Sequence, residues 1–501
     1  MTDVVSVDPR TGEPVEVVAQ ETTTAEVDAL CAAAAAAAPG LEALSRDGRA
    51  DLLDTLADAL ETRRSDVVAV ADRETGLGPA RLNGELTRTC FQLRLFGEVL
   101  REGSYVEATV DHAGDTPMGP RPDLRRMLVP LGPVAVFGAS NFPLAFSVPG
   151  GDTAAALAAG CPVVVKAHGS HPATSGLVAE VLAAAASKAG APDGTIGLVH
   201  GLAAGAALVA APQIRAVGFT GSLAGGTALM EIIDRRPEPI PFFGELAGLN
   251  PVVVTPAAAA ERGADLGAGL VGSFTLGGGQ FCTKPGLTLL PTGPDGDAVL
   301  EAMAAAVRDA PAPVLLNEGI AGSYRSISAR LRALPGVSTV AEGAAGTSGG
   351  FTAAPLLLAA DGLHDGLTDE CFGPLGVVVR YDDDAALSAL LAALPSSLTA
   401  TVLRGAGETA LPGAVAAALR PRAGRILFDA FPTGVAVSWA QTHGGPWPST
   451  NTQHTSVGPT AVRRFLRPVT WQDAPAELLP PELAEGPAGL PRRVDGVLVL
   501  P

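Results

Sequence analysis

One cysteine of this 501-residue chain follows three consecutive glycines, Cys282 in the sequence GGGQFCT. Glycine has no Cβ and lets the backbone approach a ligand closely, and a thiolate is a strong nucleophile. A lone cysteine is more often a small buried hydrophobic residue. Because a core cysteine has no need of a glycine-rich loop, the pattern predicts a nucleophile at Cys282.

A carboxylate between apolar and glycine residues is the second candidate. Glu245 lies in the sequence FFGELAG, which predicts poor solvation of its side chain. Burial raises the pKa of a carboxylate, and a glutamate with a raised pKa suits a general base near neutral pH. The alternative is an ordinary solvated glutamate at the end of a strand.

Two further polar residues come directly after short apolar runs. Asn141 follows residues 134–137, and Lys166 follows residues 163–165. Ligands of open α/β sheets bind beyond the carboxyl ends of the strands. We therefore expect Asn141 either to cap the helix that follows or to donate an amide hydrogen bond to an oxyanion. The ammonium of Lys166 could reach a ribose or a phosphate.

Other patterns in the chain indicate little chemistry. Residues 346–350 (GTSGG) match the elbow of serine hydrolases, but no clear strand precedes them and no clear helix follows. No G-x-G-x-x-G sequence follows a predicted strand, and there is no P-loop. The five cysteines form no CxxC pair, so neither a disulfide framework nor a metal site is expected. Residue spacing alone indicates a cysteine enzyme on an α/β scaffold.

The elements that must position these residues are predicted from the hydrophobic pattern. Residues 24–100 have helical spacing with a break at 76–79, and from residue 131 short apolar runs alternate with alanine-rich helices. This alternation is typical of parallel sheets buried on both faces. The first series of predicted strands is 134–137, 163–165, 196–199 and 217–220, and the helices between them are predicted to start near residues 146, 174 and 204. The second series of predicted strands is 251–255, 287–290, 314–316, 356–358, 377–381 and 426–428.

The composition is that of a well-buried globular enzyme, with 47% hydrophobic and 17% charged residues. The net charge of −18 argues against nucleic acid and anionic membranes as partners, because both attract basic surfaces. The longest apolar tract, residues 31–39, is too short to span a bilayer, and the first residues lack the features of a signal peptide. With scattered free thiols, this predicts a cytoplasmic protein.

Taken together, the motifs resemble the aldehyde dehydrogenase superfamily over about residues 24–471. The family order is kept: the Asn141 motif, the Lys166 strand, FTGS at 219–222, Glu245 with its leucine, the glycine-rich cysteine loop, and ECFGP at 370–374. Six motifs in one order are a specific signal. The resemblance implies an α/β, aldehyde dehydrogenase-like fold with two Rossmann-type parallel-sheet domains and a small oligomerisation arm.

The resemblance also implies a role for individual residues. Cys282 corresponds to the nucleophile, Glu245 to the base that activates water, and Asn141 with the Cys282 backbone N–H to the oxyanion hole. The expected reaction oxidises a small-molecule aldehyde to a carboxylic acid with NAD(P)+, through a thiohemiacetal and a thioester on Cys282. The implied cofactor-binding residues are Lys166 and Glu370 for the two riboses, Gly221 and Ser222 for the pyrophosphate, and Phe372 beside the nicotinamide.

One departure from the family pattern concerns the cofactor. In relatives that prefer NAD, a glutamate three residues after the lysine binds the ribose hydroxyls and repels a 2′-phosphate. Gly169 occupies that place here. Because no carboxylate is present to reject it, NADP is the favoured cofactor and NAD is the alternative.

A narrower resemblance concerns the substrate. The sequences FGASNFP, VVKAH, GQFCTKPG and HGGP, which begin at residues 137, 164, 279 and 443, are similar to the 2-oxoglutarate semialdehyde (2,5-dioxopentanoate) dehydrogenase branch. Such a substrate needs a cation for its far carboxylate. Arg88 and Gln92, four residues apart on the helix predicted over 84–100, are the candidates. The alternative for Arg88 is a surface ion pair with Glu85.

The resemblance divides the chain into three parts. An NAD(P)-binding domain is predicted from residues 1–106 and 131–245, and a catalytic cysteine domain from residues 246–462. Residues 107–130 and 463–501 are predicted to form an oligomerisation arm and tail, in which residues 469–471 could be an edge strand that docks on another subunit. A homodimer or homotetramer follows from the resemblance alone.

Three other functions stay open at this point. A dehydrogenase of a neutral or fatty aldehyde shares part of the motif set. A CoA-acylating relative needs no base for water, so the presence of Glu245 argues against it. A catalytically silent scaffold or binding protein has no reason to keep Cys282, Glu245 and Asn141 together.

Overall fold

The computed structural model describes residues 2–347, 349–432 and 434–501, so Ser348 of the serine hydrolase-like sequence lies outside the described residues. The helices of the described residues are α1 (Thr24–Ala43), α2 (Arg46–Thr62), α3 (Arg64–Thr75), α4 (Pro79–Glu102), α5 (Gly151–Ala159), α6 (Pro172–Lys188), α7 (Leu202–Ala210), α8 (Leu223–Asp234), α9 (Pro256–Thr275), α10 (Pro294–Asp309), α11 (Glu318–Arg332), α12 (Asp384–Ala393) and α13 (Ala410–Leu419).

The strands belong to three larger sheets and two hairpins. In chain order they are β1 (Asp3–Asp8), β2 (Glu13–Gln20), β3 (Thr109–Asp111), β4 (Gly114–Thr116), β5 (Gly119–Arg121), β6 (Leu124–Pro130), β7 (Val134–Phe137), β8 (Val163–Lys166), β9 (Ile196–Val199), β10 (Ala216–Thr220), β11 (Phe242–Glu245), β12 (Val252–Val254), β13 (Leu287–Pro291), β14 (Val337–Glu342), β15 (Leu356–Ala360), β16 (Leu375–Tyr381), β17 (Ser397–Leu403), β18 (Ala423–Phe428), β19 (Leu466–Gln472), β20 (Arg492–Val494) and β21 (Val497–Val499).

The first large sheet is parallel throughout and has the order β11-β10-β7-β8-β9. Along β7, Val134 and Val136 pack into one hydrophobic core, while Ala135 and Phe137 pack into the core on the opposite face. Successive side chains of a strand point to opposite faces, so a strand covered on both sides must be apolar at every position. The continuous apolar runs therefore predicted these strands correctly.

The crossover after β7 differs from the prediction. A helix was expected to start near residue 146, but residues 142–150 form turns and α5 begins at Gly151. Pro149 disfavours a helical conformation at Val148, which precedes it. A continuous helix from residue 146 through Pro149 is therefore disfavoured, and Asn141 lies just before these turns.

The second large sheet has the order β14-β15-β16-β13-β12-β17-β18 and is parallel except for the antiparallel pair β14-β15. Five of the predicted strands are present. The strand predicted at 314–316 is wrong, since this segment forms only an isolated bridge between Val314 and Thr352. The buried strand β17 was not predicted, because serine and threonine interrupt its apolar pattern.

Four helices precede the first sheet within the helical region predicted over 24–100, and the predicted break at 76–79 is where α3 ends, at Gly76 in a left-handed conformation with φ 65°. The separation of α1 from α2 after Ala43 was not predicted. The antiparallel hairpin β1-β2 before them was not predicted. In the described residues, no single helix is long and apolar enough to cross a membrane; the pair α1 and α2 passes that test together but is bent by 120°.

The third sheet joins two distant parts of the chain. Its order is β19-β6-β3-β20-β21, so strands from the segment 107–130 pair with strands from the segment after residue 463. The edge strand expected at residues 469–471 is β19, which pairs with β6 of the same chain. Its docking on another subunit stays a prediction.

Candidate active site

The predicted catalytic residues come from the ends of strands: Glu245 and Asn141 from carboxyl ends in the first sheet, and Cys282 from before the amino end of a strand in the second. Glu245 is the last residue of β11 and is the register partner of Thr220 at the end of β10. Asn141 follows β7, the next strand of the same sheet. Cys282 lies in a turn between a 3₁₀ helix, Leu276–Gly279, and β13 of the second sheet. The site is therefore built between the two parallel sheets.

The glycines before Cys282 serve close packing between two loops. Gly277, Gly278 and Gly279 have φ values of 58°, 72° and 69°, in the left-handed region that favours glycine. A Cβ on Gly279 would lie 2.1 Å from the carbonyl oxygen of Gly373. The backbone N–H of Gly373 donates to the carbonyl of Gly279 over 3.1 Å. The glycines were predicted to let the backbone approach a ligand closely. In the structure, the group that packs against Gly279 is the loop at residues 370–374.

A histidine connects the two predicted catalytic residues. His443 Nε2 lies 2.9 Å from Glu245 Oε1 and 3.5 Å from Cys282 Sγ. The Ser456 hydroxyl donates to Glu245 Oε2 over 2.9 Å. His443 is 1% exposed and Glu245 4%, and a ligating atom from each of Cys282, Glu245 and His443 lies within 4.8 Å of the others. We call these three side chains the Cys–His–Glu cluster.

The pKa of Glu245 moves opposite to the sequence-based expectation. Burial raises it, but the charge of His443 and the hydrogen bonds from His443, Ser456 and Cys282 together lower the pKa below its ordinary value. The prediction of a raised pKa was wrong because it considered only solvation. Burial and the neighbouring Glu245 carboxylate raise the pKa of the Cys282 thiol well above its usual range.

Asn141 is held beside the cysteine loop by α4. Its side-chain amide donates to the carbonyl of Gln280 over 2.7 Å and does not cap a helix. Arg81 Nη2 donates to the Asn141 carbonyl over 2.6 Å. The Arg81 guanidinium stacks on the rings of Phe142 and Phe281, 5.0 Å and 4.9 Å from their centroids. These contacts place an amide donor next to the turn that carries Cys282.

A cleft of about 570 Å³ opens beside the cluster. Among its lining residues are seven of the predicted site residues, Asn141, Gly221, Ser222, Glu245, Cys282, Glu370 and Phe372. His168 also lines it, although the sequence suggested no role for this residue. Lys166, at the end of β8, is not among the described lining residues; its side chain packs beside Gly205 of α7.

The cleft suits a dinucleotide on its own chemistry. Ser222 is the N-cap of α8, and Gly221 before it presents backbone without a side chain. A helix N-terminus with a bare backbone beside it is a favourable place for phosphate groups. Burial raises the pKa of Glu370 to about 7, and its carboxylate accepts a hydrogen bond from the backbone of Gly248. A Cβ on Gly169 would meet no atom within 4 Å, so this position has room for a larger group.

The residues predicted to bind a substrate carboxylate lie on α4. Arg88 is not a surface residue: its guanidinium stacks on Phe146 at 4.9 Å and donates to the Val435 carbonyl over 3.3 Å. Within the described residues it forms no ion pair with Glu85, whose Oε1 accepts from the backbone of Leu144 and Ala145. The alternative of a surface ion pair is therefore wrong.

Sequence reasoning missed His443 and Ser456. The sequence HGGP was noted as a family-like segment, but no spacing rule relates His443 to a glutamate 198 residues earlier. A histidine followed by two glycines, like the cysteine after three, was the available signal.

The fold and this site are those of a covalent aldehyde-oxidising enzyme, and the chain belongs to the aldehyde dehydrogenase family, which matches residues 2–467. It is therefore an NAD(P)-dependent enzyme that acts on small aldehyde substrates. The prediction from the motif order is confirmed.

Particular relatives are similar over nearly the whole chain. Alpha-ketoglutaric semialdehyde dehydrogenase 2 of Azospirillum brasilense is 46% identical over 98% of this chain and 95% of its own length. Alpha-ketoglutaric semialdehyde dehydrogenase of Acinetobacter baylyi is 44% identical over 97% and 94%. A crystal structure of an aldehyde dehydrogenase C mutant from Pseudomonas syringae, in complex with NAD+ and octanal, has a TM-score of 0.80 at 22% identity and covers 95% of each chain. The aldehyde dehydrogenase fold predicted from the sequence is thereby confirmed.

Proposed function

We propose that the chain oxidises 2-oxoglutarate semialdehyde to 2-oxoglutarate with NAD(P)+. The Cys–His–Glu cluster beside a cleft suited to a dinucleotide carries the proposal for the chemistry. The substrate is proposed from the names of the two relatives that are 46% and 44% identical, together with the half-buried Arg88, whose guanidinium stacks on Phe146 near the cluster. A neutral or fatty aldehyde is the second candidate substrate.

In the first half-reaction, Cys282 Sγ attacks the aldehyde carbon. The thiol proton passes to the His443–Glu245 pair, since His443 Nε2 lies near both Sγ and Oε1. The amide of Asn141 and the Cys282 backbone N–H stabilise the oxyanion that develops on the aldehyde oxygen. NAD(P)+ held by residues that line the cleft would supply the hydride acceptor, and loss of the hydride from the thiohemiacetal would leave a thioester on Cys282.

In the second half-reaction, Glu245 takes a proton from water, and the hydroxide attacks the thioester carbonyl. The carbon–sulfur bond then breaks and the carboxylic acid leaves. The Cys282 sulfur takes back one proton from the His443–Glu245 pair, which restores the thiol, and the second proton of the pair is released to solvent. Ser456 and His443 hold the carboxylate in place through one hydrogen bond to each of its oxygens. The role of Glu245 as a base depends on this orientation, because its lowered pKa makes it a weaker base than an unperturbed glutamate.

The cofactor-binding roles remain as the family resemblance implies them. Lys166 and Glu370 would bind the two riboses, Gly221 and Ser222 the pyrophosphate, and Phe372 would pack beside the nicotinamide. NADP is favoured over NAD because Gly169 offers no carboxylate and open space beside it. Initial rates with each cofactor measure the preference directly, and a higher kcat/KM with NAD+ would contradict it.

The chain is further proposed to be a cytoplasmic homodimer or homotetramer, divided into domains at the boundaries predicted from the sequence. The third sheet, which joins the segment 107–130 to the tail, supports an oligomerisation arm. Light scattering after size-exclusion chromatography tests the assembly, and a monomer at micromolar concentration would contradict it.

The decisive experiment compares substrates and the Glu245→Gln variant. The wild type should show a higher kcat/KM for 2-oxoglutarate semialdehyde than for pentanal, benzaldehyde or succinic semialdehyde. With Glu245→Gln, one equivalent of reduced cofactor should form rapidly, because His443 Nε2 still lies 3.5 Å from Cys282 Sγ and can take the thiol proton. Turnover should then be about 10²- to 10⁴-fold slower, because the variant lacks the carboxylate that activates water. No burst, or unchanged turnover, would overturn the proposed mechanism.

A further inference from the structure

Two arginines from different parts of the fold carry buried N–H groups without partners. Among the described residues, Nη1 of Arg88 and both Nε and Nη2 of Arg425 are buried and make no hydrogen bond. A buried donor left unpaired costs free energy, and a charged one costs more. The chain has 52 acidic residues, yet none of those described pairs with either guanidinium. Such groups are expected to find a partner when a ligand binds.

Arg425 is connected to the cysteine loop through the neighbouring strand β17. It is on β18, where it is the register partner of Thr399 on β17. The Thr399 backbone N–H donates to Asn250 Oδ1, and Asn250 Nδ2 donates to the Cys282 carbonyl over 2.8 Å. The charge of Arg425 consequently acts on the Cys282 thiol.

Arg88 approaches the same cysteine from α4. Its guanidinium stacks on Phe146, whose ring lies 6.3 Å from the ring of His443. The charge of Arg88 acts on both Cys282 and Glu245. The amide nitrogen of Gln92, one turn further along α4, is also buried and unpaired among the described residues. Unpaired donors thus approach the cluster from two elements that are more than 300 residues apart in the chain.

We propose that Arg425, together with Arg88, binds the carboxylate at the far end of an aldehyde acid while its aldehyde carbon faces Cys282. The Nε and Nη2 groups of Arg425 form one edge of the guanidinium, and this edge can donate two parallel hydrogen bonds to a carboxylate. Arg88 Nη1, on α4, is a third unpaired donor. The proposal rests on the proposed function and deepens it, since it selects acids among aldehydes.

The test replaces Arg425 and measures KM and kcat for an acidic and a neutral aldehyde. Arg425→Met should raise KM for 2-oxoglutarate semialdehyde about 10- to 100-fold, as expected for lost hydrogen bonds to a charged group. The KM of the variant for pentanal should stay within about threefold of the wild-type value, since pentanal has no carboxylate and forms no such hydrogen bonds with Arg425. Arg425→Lys should restore part of the loss, because lysine keeps the charge but lacks the paired donors. Arg422→Met is the matched control, since Arg422 donates to the carbonyls of Leu394 and Ala392.

A binding measurement keeps the proposal testable if a variant is inactive. Glutarate, an unreactive dicarboxylate, should bind the wild type in calorimetry and bind Arg425→Met at least about tenfold more weakly. If the wild type prefers the acidic aldehyde but Arg425→Met changes both KM values equally, the assignment of Arg425 is overturned and the proposed function stands. If the wild type itself shows no preference, the proposed substrate falls and the carboxylate site falls with it. A changed oligomeric mass with unchanged KM would assign Arg425 to a subunit contact.

Discussion

At the scale of single residues, the candidate nucleophile lies next to a buried carboxylate, and this proximity sets the protonation of both groups. The thiolate of Cys282 is disfavoured by burial and by the negative charge of Glu245. The carboxylate of Glu245 is favoured by His443 and Ser456. The thiol therefore stays protonated beside an ionised carboxylate until its proton passes to the pair.

The first prediction concerns the reactivity of the thiol. Because Glu245 raises the pKa of Cys282, Glu245→Gln should lower it and increase the rate of iodoacetamide alkylation at neutral pH about tenfold or more. The pH at which alkylation is half-maximal should fall accordingly. Glu238→Gln, which alters a carboxylate paired with Arg215 on the surface, is the control and should leave the rate unchanged. An alkylation profile that Glu245→Gln does not shift would contradict the electrostatic coupling.

A second prediction concerns Glu370 and the cofactor. Burial raises its pKa to about 7, so the carboxylate is charged above this pH and becomes neutral below it. If Glu370 accepts a ribose hydroxyl, KM for NAD(P)+ should rise about fivefold as the pH falls through about 7, because a hydrogen bond to a charged acceptor is stronger by about 1 kcal/mol. The control is KM for NAD(P)+ measured over the same pH range in the Glu370→Gln variant. If KM rises by the same factor in that variant, Glu370 is not the source of the pH dependence.

At the scale of elements, two loops from different strands fit together without side chains between them. The loop before Cys282 touches the loop at residues 370–374 through Gly279 and Gly373. Lys284, buried behind this contact, donates from Nζ to the carbonyls of Cys371 and Leu375 over 2.7 Å and 3.0 Å. The position of the thiol relative to the cleft depends on this contact.

The third prediction tests that dependence. Gly279→Ala should reduce the free energy of unfolding by about 1–3 kcal/mol and reduce kcat further, because a Cβ there meets Gly373 at 2.1 Å in a left-handed conformation. Gly272→Ala is the matched control on α9, where a Cβ meets nothing within 4 Å and helix propensity predicts a gain of up to about 1 kcal/mol. Denaturant unfolding and initial rates measure both. Equal stability of the two variants would show that the loop contact is not tight.

At the scale of the whole molecule, the chain is closed by contacts between its early and late segments. His112 Nδ1 lies 2.6 Å from Asp495 Oδ2, and the His112 backbone N–H donates to Asp495 Oδ1 over 2.9 Å. The buried guanidinium of Arg125 donates to the Leu483 carbonyl over 2.7 Å. These contacts hold the C-terminal strands β20 and β21 against β3.

The fourth prediction is a pH dependence of this attachment. The hydrogen bond to Asp495 raises the pKa of His112, and His112 in turn lowers the pKa of Asp495. The interaction stabilises the attachment when His112 is charged and Asp495 is ionised. This stabilisation is lost as the pH rises through the raised pKa of His112. It is also lost as the pH falls through the lowered pKa of Asp495. Proteolytic release of the C-terminal segment should therefore become faster from neutral to alkaline pH. In the His112→Gln variant, the rate of proteolytic release, corrected for the pH dependence of the protease itself, should not change from neutral to alkaline pH. If this rate rises in the variant as it does in the wild type, the role of His112 is contradicted.

The sequence alone determined the family, the fold class and the identity of the central catalytic candidates. The strands β7, β8 and β10 could be predicted because a strand covered on both faces must be apolar at every position. Cys282, Glu245 and Asn141 could be predicted because each lies in a short segment whose neighbours already indicate a turn or a strand end. These are local properties of a few consecutive residues.

Only the tertiary structure decided what surrounds those residues. His443 lies 161 residues after Cys282, and Arg425 and Arg88 come from different elements, so no local pattern could place them together. The sign of the Glu245 pKa shift also depended on the fold, since burial acts against a histidine whose position the sequence does not indicate. Electrostatic environment and hydrogen bonding depend on distances in space, and those distances exist only once the two parallel sheets have brought the ends of their strands together.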